Sequence, residues 1–125
     1  MITLLKSTRR PDITFYRNGT IRLTAGIIKS LAISPGDSIN IAVENGEYLL
    51  YSISHEKGTN LHRFEAQCYP SKRGGGRNFC ANSVRLCRNL LAAIGSSAKK
   101  VAFNVGESIE INGTSYLPII TLNPL

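Results

Sequence analysis

The sequence predicts a β-rich α+β domain, and three observations carry that prediction. Short segments that alternate apolar and polar residues recur along the chain, as in strands with one buried face. Three Asn-Gly pairs, which begin at residues 18, 45 and 112, supply tight turns between such segments. Two runs with apolar residues at helical spacing interrupt the strands. The expected order is β-β-α-β-β, and it occurs twice.

The first unit, residues 13–54, predicts two hairpins around one short helix. Its alternating segments are in matching register on both sides of Asn18-Gly19 and again around Asn45-Gly46. Between the hairpins, Pro35-Gly36 ends a run with helical apolar spacing. The expected elements are strands over 13–16 and 20–24, a helix over 25–32, a strand over 37–43 and a returning strand over 47–54.

The second unit, residues 61–122, aligns with the first when Asn82-Ser83 is placed on Thr24-Ala25. Ser83 is a good N-cap for the helix that follows, and Gly95 is a good stop. The expected elements are a strand over 61–69, a loop over 70–77, a strand over 78–82, a helix over 83–94, a strand over 101–105 and a hairpin over 109–122. Both units are expected to form a single compact domain, residues 13–125, behind a basic N-terminal arm, residues 1–12.

Residues 13–53 also carry a more specific pattern. Asn18-Gly19-Thr20-Ile21-Arg22-Leu23 precedes the helix, and Leu31-Ala32-Ile33-Ser34-Pro35-Gly36-Asp37-Ser38-Ile39 follows it. This segment resembles the AbrB/SpoVT family of DNA-binding domains, in which two β-β-α-β-β units swap hairpins to form a small barrel. It departs from the family in having Thr24-Ala25 where Ile-Pro is usual. The resemblance implies DNA binding by a swapped-hairpin-like barrel built from two diverged units, as in MraZ-like tandem proteins.

The charge of the chain favours an acidic partner. Of 125 residues, 15 are Lys or Arg and 8 are Asp or Glu, so the formal net charge is +7. Nucleic acid is the expected partner of such a basic protein. No run has the length of a transmembrane helix, and residues 1–5 are too short for the apolar part of a secretory signal. We therefore expect no membrane partner and a cytoplasmic location.

The sequence favours neither a metal site nor an enzyme. Cys68, Cys80 and Cys87 lack zinc-type spacing and are expected to be reduced thiols that are buried or half-buried. His55 and His62 are the only histidines, and the eight acidic residues show no paired spacing. No motif of a serine hydrolase or a zinc protease is present. We expect no catalytic residues, no metal and no cofactor.

The candidate binding residues are cations and one tyrosine that cluster near the start of each unit. The loop over residues 71–77 adds three glycines, which free the backbone to approach a phosphate. The expected set is Arg9, Arg10, Tyr16, Arg17, Arg22, Lys72, Arg73, Arg77, Arg85 and Arg88. A pseudo-twofold axis between the units predicts that these residues share one positive face. The acidic residues expected elsewhere are Glu44, Glu47, Glu107 and Glu110.

The expected function is nucleic-acid binding, as a DNA-binding regulator or accessory protein. Two alternatives stay open at this point. The basic face can instead dock an acidic protein, which makes the chain a non-enzymatic adaptor or assembly module. It can also bind single-stranded DNA or RNA rather than duplex DNA. The sequence leaves a homodimer open as well.

Overall fold

A computed structural model describes residues 11–55, 65–72 and 76–121 of the chain. Within these residues, nine strands and two helices form a β-rich α+β fold, which confirms the predicted class. Neither helix is long and apolar enough to cross a membrane. In chain order, the elements are β1 (Ile13–Tyr16), β2 (Thr20–Leu23), α1 (Ala25–Ser30), β3 (Ser38–Glu44), β4 (Glu47–Ile53), β5 (Tyr69–Pro70), β6 (Phe79–Asn82), α2 (Val84–Ala93), β7 (Lys100–Phe103), β8 (Ile109–Ile111) and β9 (Thr114–Ile119).

The strands form two antiparallel sheets, each of which combines two hairpins. Sheet A has the order β5-β6-β2-β1-β7, so the β1-β2 and β5-β6 hairpins meet where β2 pairs with β6. Sheet B has the order β3-β4-β9-β8, and its two hairpins meet where β4 pairs with β9. The described strands do not close into the barrel that the sequence analysis expected.

The hydrophobic core is built from the inner faces of both sheets and one side of each helix. Phe15 of β1 and Phe103 of β7 are fully buried and meet edge to face, with their ring centroids 6.1 Å apart. Helix α2 packs Leu86, Leu90 and Leu91 into this core, because these residues recur on one side of a helix. The Ser83 hydroxyl accepts a hydrogen bond from the Leu86 amide at 3.0 Å, so the predicted N-cap is confirmed.

The hairpin tips of the two sheets differ in conformation. Asn45 and Gly46 both have positive φ angles, of 50° and 78°, which is the turn geometry that favours Asn-Gly. At the tip of β1-β2, only Gly19 has a positive φ, of 106°, and its amide bonds the Tyr16 carbonyl at 2.9 Å. The first tip is therefore a longer turn, which places Gly19 against the start of α2.

One predicted strand is misplaced. The sequence predicts a strand over 61–69 and a loop over 70–77, but within the described residues 65–72 the strand β5 contains only Tyr69 and Pro70. Residues 56–64 lie outside the described part of the chain. The Asp37 carbonyl accepts from the Cys68 amide at 2.8 Å, and the Cys68 carbonyl accepts from the Gly36 amide at the same distance. Long-range bonds to the loop before β3, rather than local alternation, fix the chain before β5.

Candidate nucleic-acid interface

The outer face of sheet A carries the best candidate site. Residues of its strands alternate between the core and the surface, so Ile13, Phe15 and Ile21 point inward. Cross-strand register places neighbours on the outer face together: Thr14 opposes Arg22, Arg22 opposes Cys80, and Tyr16 opposes Lys100. We call this set the sheet A face, defined by Thr14, Tyr16, Arg22, Cys80 and Lys100.

Tyr16 lies between the two cations of the sheet A face. The Arg22 guanidinium carbon is 5.4 Å from the centre of the Tyr16 ring, and Lys100 Nζ is 5.9 Å from it. Both distances are within the range of cation–π attraction, which holds a cation over the electron-rich face of an aromatic ring. The ring thus fixes two positive charges above the open surface of a sheet.

A groove of about 310 Å³ borders Arg22. Polar and apolar side chains line it together, from β1, β2, β6, their flanking residues and the β5-β6 connection: Pro11, Thr14, Arg22, Leu23, Thr24, Ser71, Asn78, Phe79 and Cys80. The Ser71 amide bonds the Asn78 carbonyl at 2.8 Å, which closes the base of that connection. Lys72 and Arg77 are exposed and directly follow and precede these two residues, so they lie beside the groove.

Arg17 makes two hydrogen bonds within the protein. Its Nε donates to the Ala98 carbonyl at 3.1 Å, and its Nη2 donates to the Ser96 carbonyl at 2.9 Å. These bonds hold the connection between α2 and β7 against the β1-β2 hairpin. The side chain was expected to bind phosphate, and two of its N–H groups are engaged by carbonyl groups of the protein.

Arg85 lies on a different surface from Arg22. Its Nε contacts both oxygens of the Glu65 carboxylate, at 3.0 and 3.1 Å, and it lines a groove with Asn40 and Val43 of β3. A hydrogen bond from Ser83, and then the nearby Arg85, lower the pKa of Glu65 against the opposing effect of its partial burial. The expectation that one face unites both arginines is therefore wrong, because α2 lies on the core side of sheet A.

The remaining predicted residues fall into two groups. Arg88 is exposed on α2, three residues after Arg85. Arg9, Arg10 and Arg73 lie outside the described residues. Of the ten predicted residues, the structure brings Tyr16 and Arg22 together, with Lys72 and Arg77 next to the adjoining groove.

Sequence reasoning missed Lys100 and Tyr69 as parts of this surface. Lys100 begins β7 and alternates with buried Val101, a signal that was present but was assigned to a strand starting one residue later. Tyr69 opposes Cys80 at the edge of the sheet and is 52% exposed, although its local sequence gives no sign of this pairing. Both residues lie on or beside the sheet A face.

The acidic residues are on the other sheet. Glu44 and Glu47 oppose each other at the tip of β3-β4, Glu110 lies on β8, and Glu107 is two residues before β8. The four strands of sheet B contain no Lys or Arg. The predicted separation of these acids from Arg22 is confirmed.

A second polar cluster borders a smaller cavity near α2. Ser38 Oγ is 2.8 Å from His55 Nε2, and both line a cavity of about 160 Å³ with Glu65 and Arg85. Ser38 is only 3% exposed, and Glu65 is engaged by Ser83 and Arg85. A nucleophilic serine needs to be accessible to its substrate, whereas Ser38 is buried. Among the described residues, no group of three His, Cys, Asp or Glu side chains is placed to hold a metal ion.

Comparisons with known proteins returned no match: no family model, no curated protein and no solved structure is significantly similar to the chain. The resemblance of residues 13–53 to AbrB/SpoVT domains thus rests on the quoted motif alone. The geometry of the sheet A face carries the functional interpretation.

Proposed function

We propose that the chain is a nucleic-acid-binding protein and that the sheet A face is its binding surface. The observation that carries this proposal is the arrangement of Arg22 and Lys100 over the ring of Tyr16 beside an open groove. Cations fixed above a surface bind phosphate without first losing the conformational freedom of long side chains. Arg22 also offers a planar fork of donors that matches phosphate oxygens.

The charge distribution supports the same surface. Within the described part of the chain, Arg85–Glu65 is the only ion pair, so neither Arg22 nor Lys100 is neutralised by a described acid. Lys72 and Arg77 extend the positive charge along the groove. The glutamates on the strands of sheet B repel a polyanion from that sheet.

We also propose that the fold is a diverged, tandem form of the AbrB/SpoVT architecture, acting as a DNA-binding regulator or accessory protein. Support comes from the pairing of one hairpin from each half of the chain in each sheet. When the second unit is aligned with the first by placing Asn82-Ser83 on Thr24-Ala25, buried residues of β6 match buried residues of β2: Phe79 aligns with Ile21, and Ala81 with Leu23. Strand β7 has no counterpart in the first half.

Binding to random-sequence DNA at two salt concentrations tests the proposed function. Fluorescence anisotropy should give an affinity for duplex or single-stranded DNA that falls steeply between 50 and 200 mM salt. The double variant Arg22→Gln/Lys100→Gln should bind at least tenfold more weakly, and the slope of log affinity against log salt should become shallower by about 1 to 2. Equal affinity at both salt concentrations would contradict the proposal.

A matched control separates the surface from net charge. The double variant Arg85→Gln/Arg88→Gln removes the same number of positive charges from α2 and is expected to change affinity less than threefold. Equal losses in the two double variants would show that binding follows total charge rather than the sheet A face.

Assembly with protein is the second candidate function, and sheet B favours it. Large apolar residues are exposed on or beside its strands: Ile53, Ile109, Ile111 and Ile120. Exposed apolar surface of this kind is typical of protein interfaces. We propose a second copy of the chain as its occupant, because an apolar surface complements itself in a twofold dimer whereas a basic face repels itself. Sedimentation of the wild type and of Ile109→Glu tests this: a dimer that the variant abolishes supports it, and a monomer at all concentrations contradicts it.

A further inference from the structure

We infer that the sheet A face binds a single strand in preference to a duplex, with bases stacked against its aromatic and guanidinium groups. This inference rests on the proposed function and narrows its ligand. The bases of a duplex stack on each other, so an open sheet reaches mainly phosphates and sugars. A single strand exposes its base faces to aromatic side chains on such a sheet.

The stacking groups are distributed across the sheet. Tyr69 lies on β5 and Tyr16 on β1, three strands apart, which corresponds to about 14 Å at the usual strand spacing. Arg22 lies between them, opposite Cys80, which in turn opposes Tyr69. A strand that crosses the sheet therefore meets the ring of Tyr69 and then the guanidinium of Arg22, which lies over the ring of Tyr16.

The groove next to these groups suits an extruded nucleotide. Its volume of about 310 Å³ falls in the lower range of small-ligand sites, and Thr14, Ser71 and Asn78 line it with hydroxyl and amide groups. Asn78 Oδ1 already accepts from the Ala25 amide at 3.2 Å, so the side-chain carbonyl is fixed. Polar groups at the base of an otherwise open sheet can bind sugar or base edges without selecting one sequence.

The helices give no comparable surface for a duplex groove. Helix α1 has only six residues and buries Ile27 in the core. Helix α2 directs its leucines into the core, and its Arg85 contacts Glu65. A helix that reads the major groove needs a row of exposed polar side chains along several turns. Helix α2 exposes Arg88 and Asn89, but the exposed residues of its next turn are Ala92 and Ala93.

Competition between ligand forms tests the inference. A fluorescein-labelled twelve-residue oligothymidylate should bind wild-type protein at least fivefold more tightly than a duplex of equal length at the same salt. Tyr16→Leu keeps an apolar side chain but removes the ring, so it should lose about 5- to 150-fold in oligothymidylate affinity. Tyr16→Phe should keep most of it, because the ring face remains.

Two controls make the mutant result specific. Tyr116→Leu alters a tyrosine of sheet B, which packs on Tyr51 with ring centroids 5.3 Å apart, and should leave oligothymidylate affinity unchanged. Thermal melting of each variant shows whether a loss of binding reflects a loss of folding. If Tyr16→Leu has a lowered melting temperature, the oligothymidylate affinity of Tyr69→Leu tests the inference instead, because Tyr69 is exposed at the edge of the sheet.

Cys80 provides an independent probe in the native protein. It is the half-buried cysteine of the sheet A face, whereas Cys68 and Cys87 are fully buried. Burial raises the pKa of Cys68 to about 12 and that of Cys87 to about 11, which keeps both thiols unreactive. Alkylation by iodoacetamide should therefore occur at Cys80, and saturating oligothymidylate should slow it at least fivefold.

The outcomes distinguish the two proposals. Preference for oligothymidylate, with loss in Tyr16→Leu and protection of Cys80, supports the inference. Tighter duplex binding with no effect of either tyrosine substitution overturns it but leaves nucleic-acid binding by the sheet A face intact. Salt-independent or absent binding of both ligands overturns the inference together with the proposed function.

Discussion

The two sheets share the same construction from paired hairpins but present different chemistry to solvent. Sheet A exposes Arg22 and Lys100 over Tyr16, and its connections carry further cations. Sheet B carries glutamates on its strands and exposes isoleucines. Because the backbone scaffold is so similar, the difference in surface chemistry must come from the outward positions of each strand.

This difference shows why net charge alone is a poor guide to a binding surface. The chain has a formal charge of +7, yet Arg17 bonds backbone carbonyls and Arg85 pairs with Glu65. Cations with a protein partner contribute less to binding, since that partner must be displaced or shared. The cations above sheet A are fewer than the Lys and Arg residues of the sequence, but they are not paired with an acid among the described residues.

The largest expected effect concerns the hairpin tip of sheet A. Gly19→Ala places a methyl group at a φ of 106° and 2.8 Å from Val84 Cγ2, with the Val84 amide nitrogen at 3.0 Å. The backbone strain and the forced shift of α2 should together lower the free energy of unfolding by about 3 kcal/mol. Urea denaturation measures this loss.

A second glycine serves as the control for that prediction. Gly26 lies in α1 without a positive φ, and an added Cβ meets only Thr24 Oγ1, at 3.9 Å. Gly26→Ala should raise the free energy of unfolding by about 0.5 to 1 kcal/mol, because alanine favours a helix. Equal effects at both positions would show that the contact with α2 does not constrain the Gly19 tip.

The next effect concerns the cations beside the groove. Lys72→Glu/Arg77→Glu should weaken binding of single-stranded DNA by about tenfold or more at 100 mM salt, because repulsion replaces two phosphate contacts. Both residues are exposed in a connection, so the melting temperature should change little. Anisotropy and thermal melting on the same samples check both statements, and unchanged affinity would remove the β5-β6 connection from the site.

A smaller effect is expected at the equivalent tip of sheet B. Gly46 also has a positive φ, of 78°, but nothing lies within 4 Å of an added Cβ. Gly46→Ala should therefore lower the free energy of unfolding only by the cost of placing alanine at a positive φ, about 1 kcal/mol. A loss as large as that of Gly19→Ala would mean that the two sheets constrain their tips equally.

The smallest expected effect is a dependence on pH at Glu65. The pKa of this carboxyl lies below its usual 4.5, so its ionised form favours the folded state above pH 4.5, and this contribution disappears as pH falls through the lowered pKa. NMR titration should show the lowered pKa in wild-type protein. In Ser83→Ala the pKa should rise towards 4.5, because the leading hydrogen bond is gone; an unchanged value would contradict that cause.

The sequence was sufficient to predict elements whose pattern is local. Strand β1 has the predicted bounds, α2 begins after the predicted cap Ser83, and the turn at Asn45-Gly46 has the predicted geometry. The short β5 was misplaced because the chain just before it is held by backbone bonds from Cys68 to Gly36 and Asp37, more than thirty positions away. The partners of individual side chains are similarly hidden in the sequence: alternation predicts that Arg22 faces outward, but no local pattern shows that Arg17 and Arg85 have protein partners.

Mapping of amide chemical shifts tests the central claim most directly. Titration of ¹⁵N-labelled protein with oligothymidylate reports which strands contact the ligand, without any substitution. The largest shifts should fall on β1, β2, β6 and β7, with Arg22 and Lys100 among them, while the strands of sheet B stay nearly unchanged. Shifts concentrated on β3, β4, β8 and β9 would contradict the assignment of nucleic-acid binding to the sheet A face.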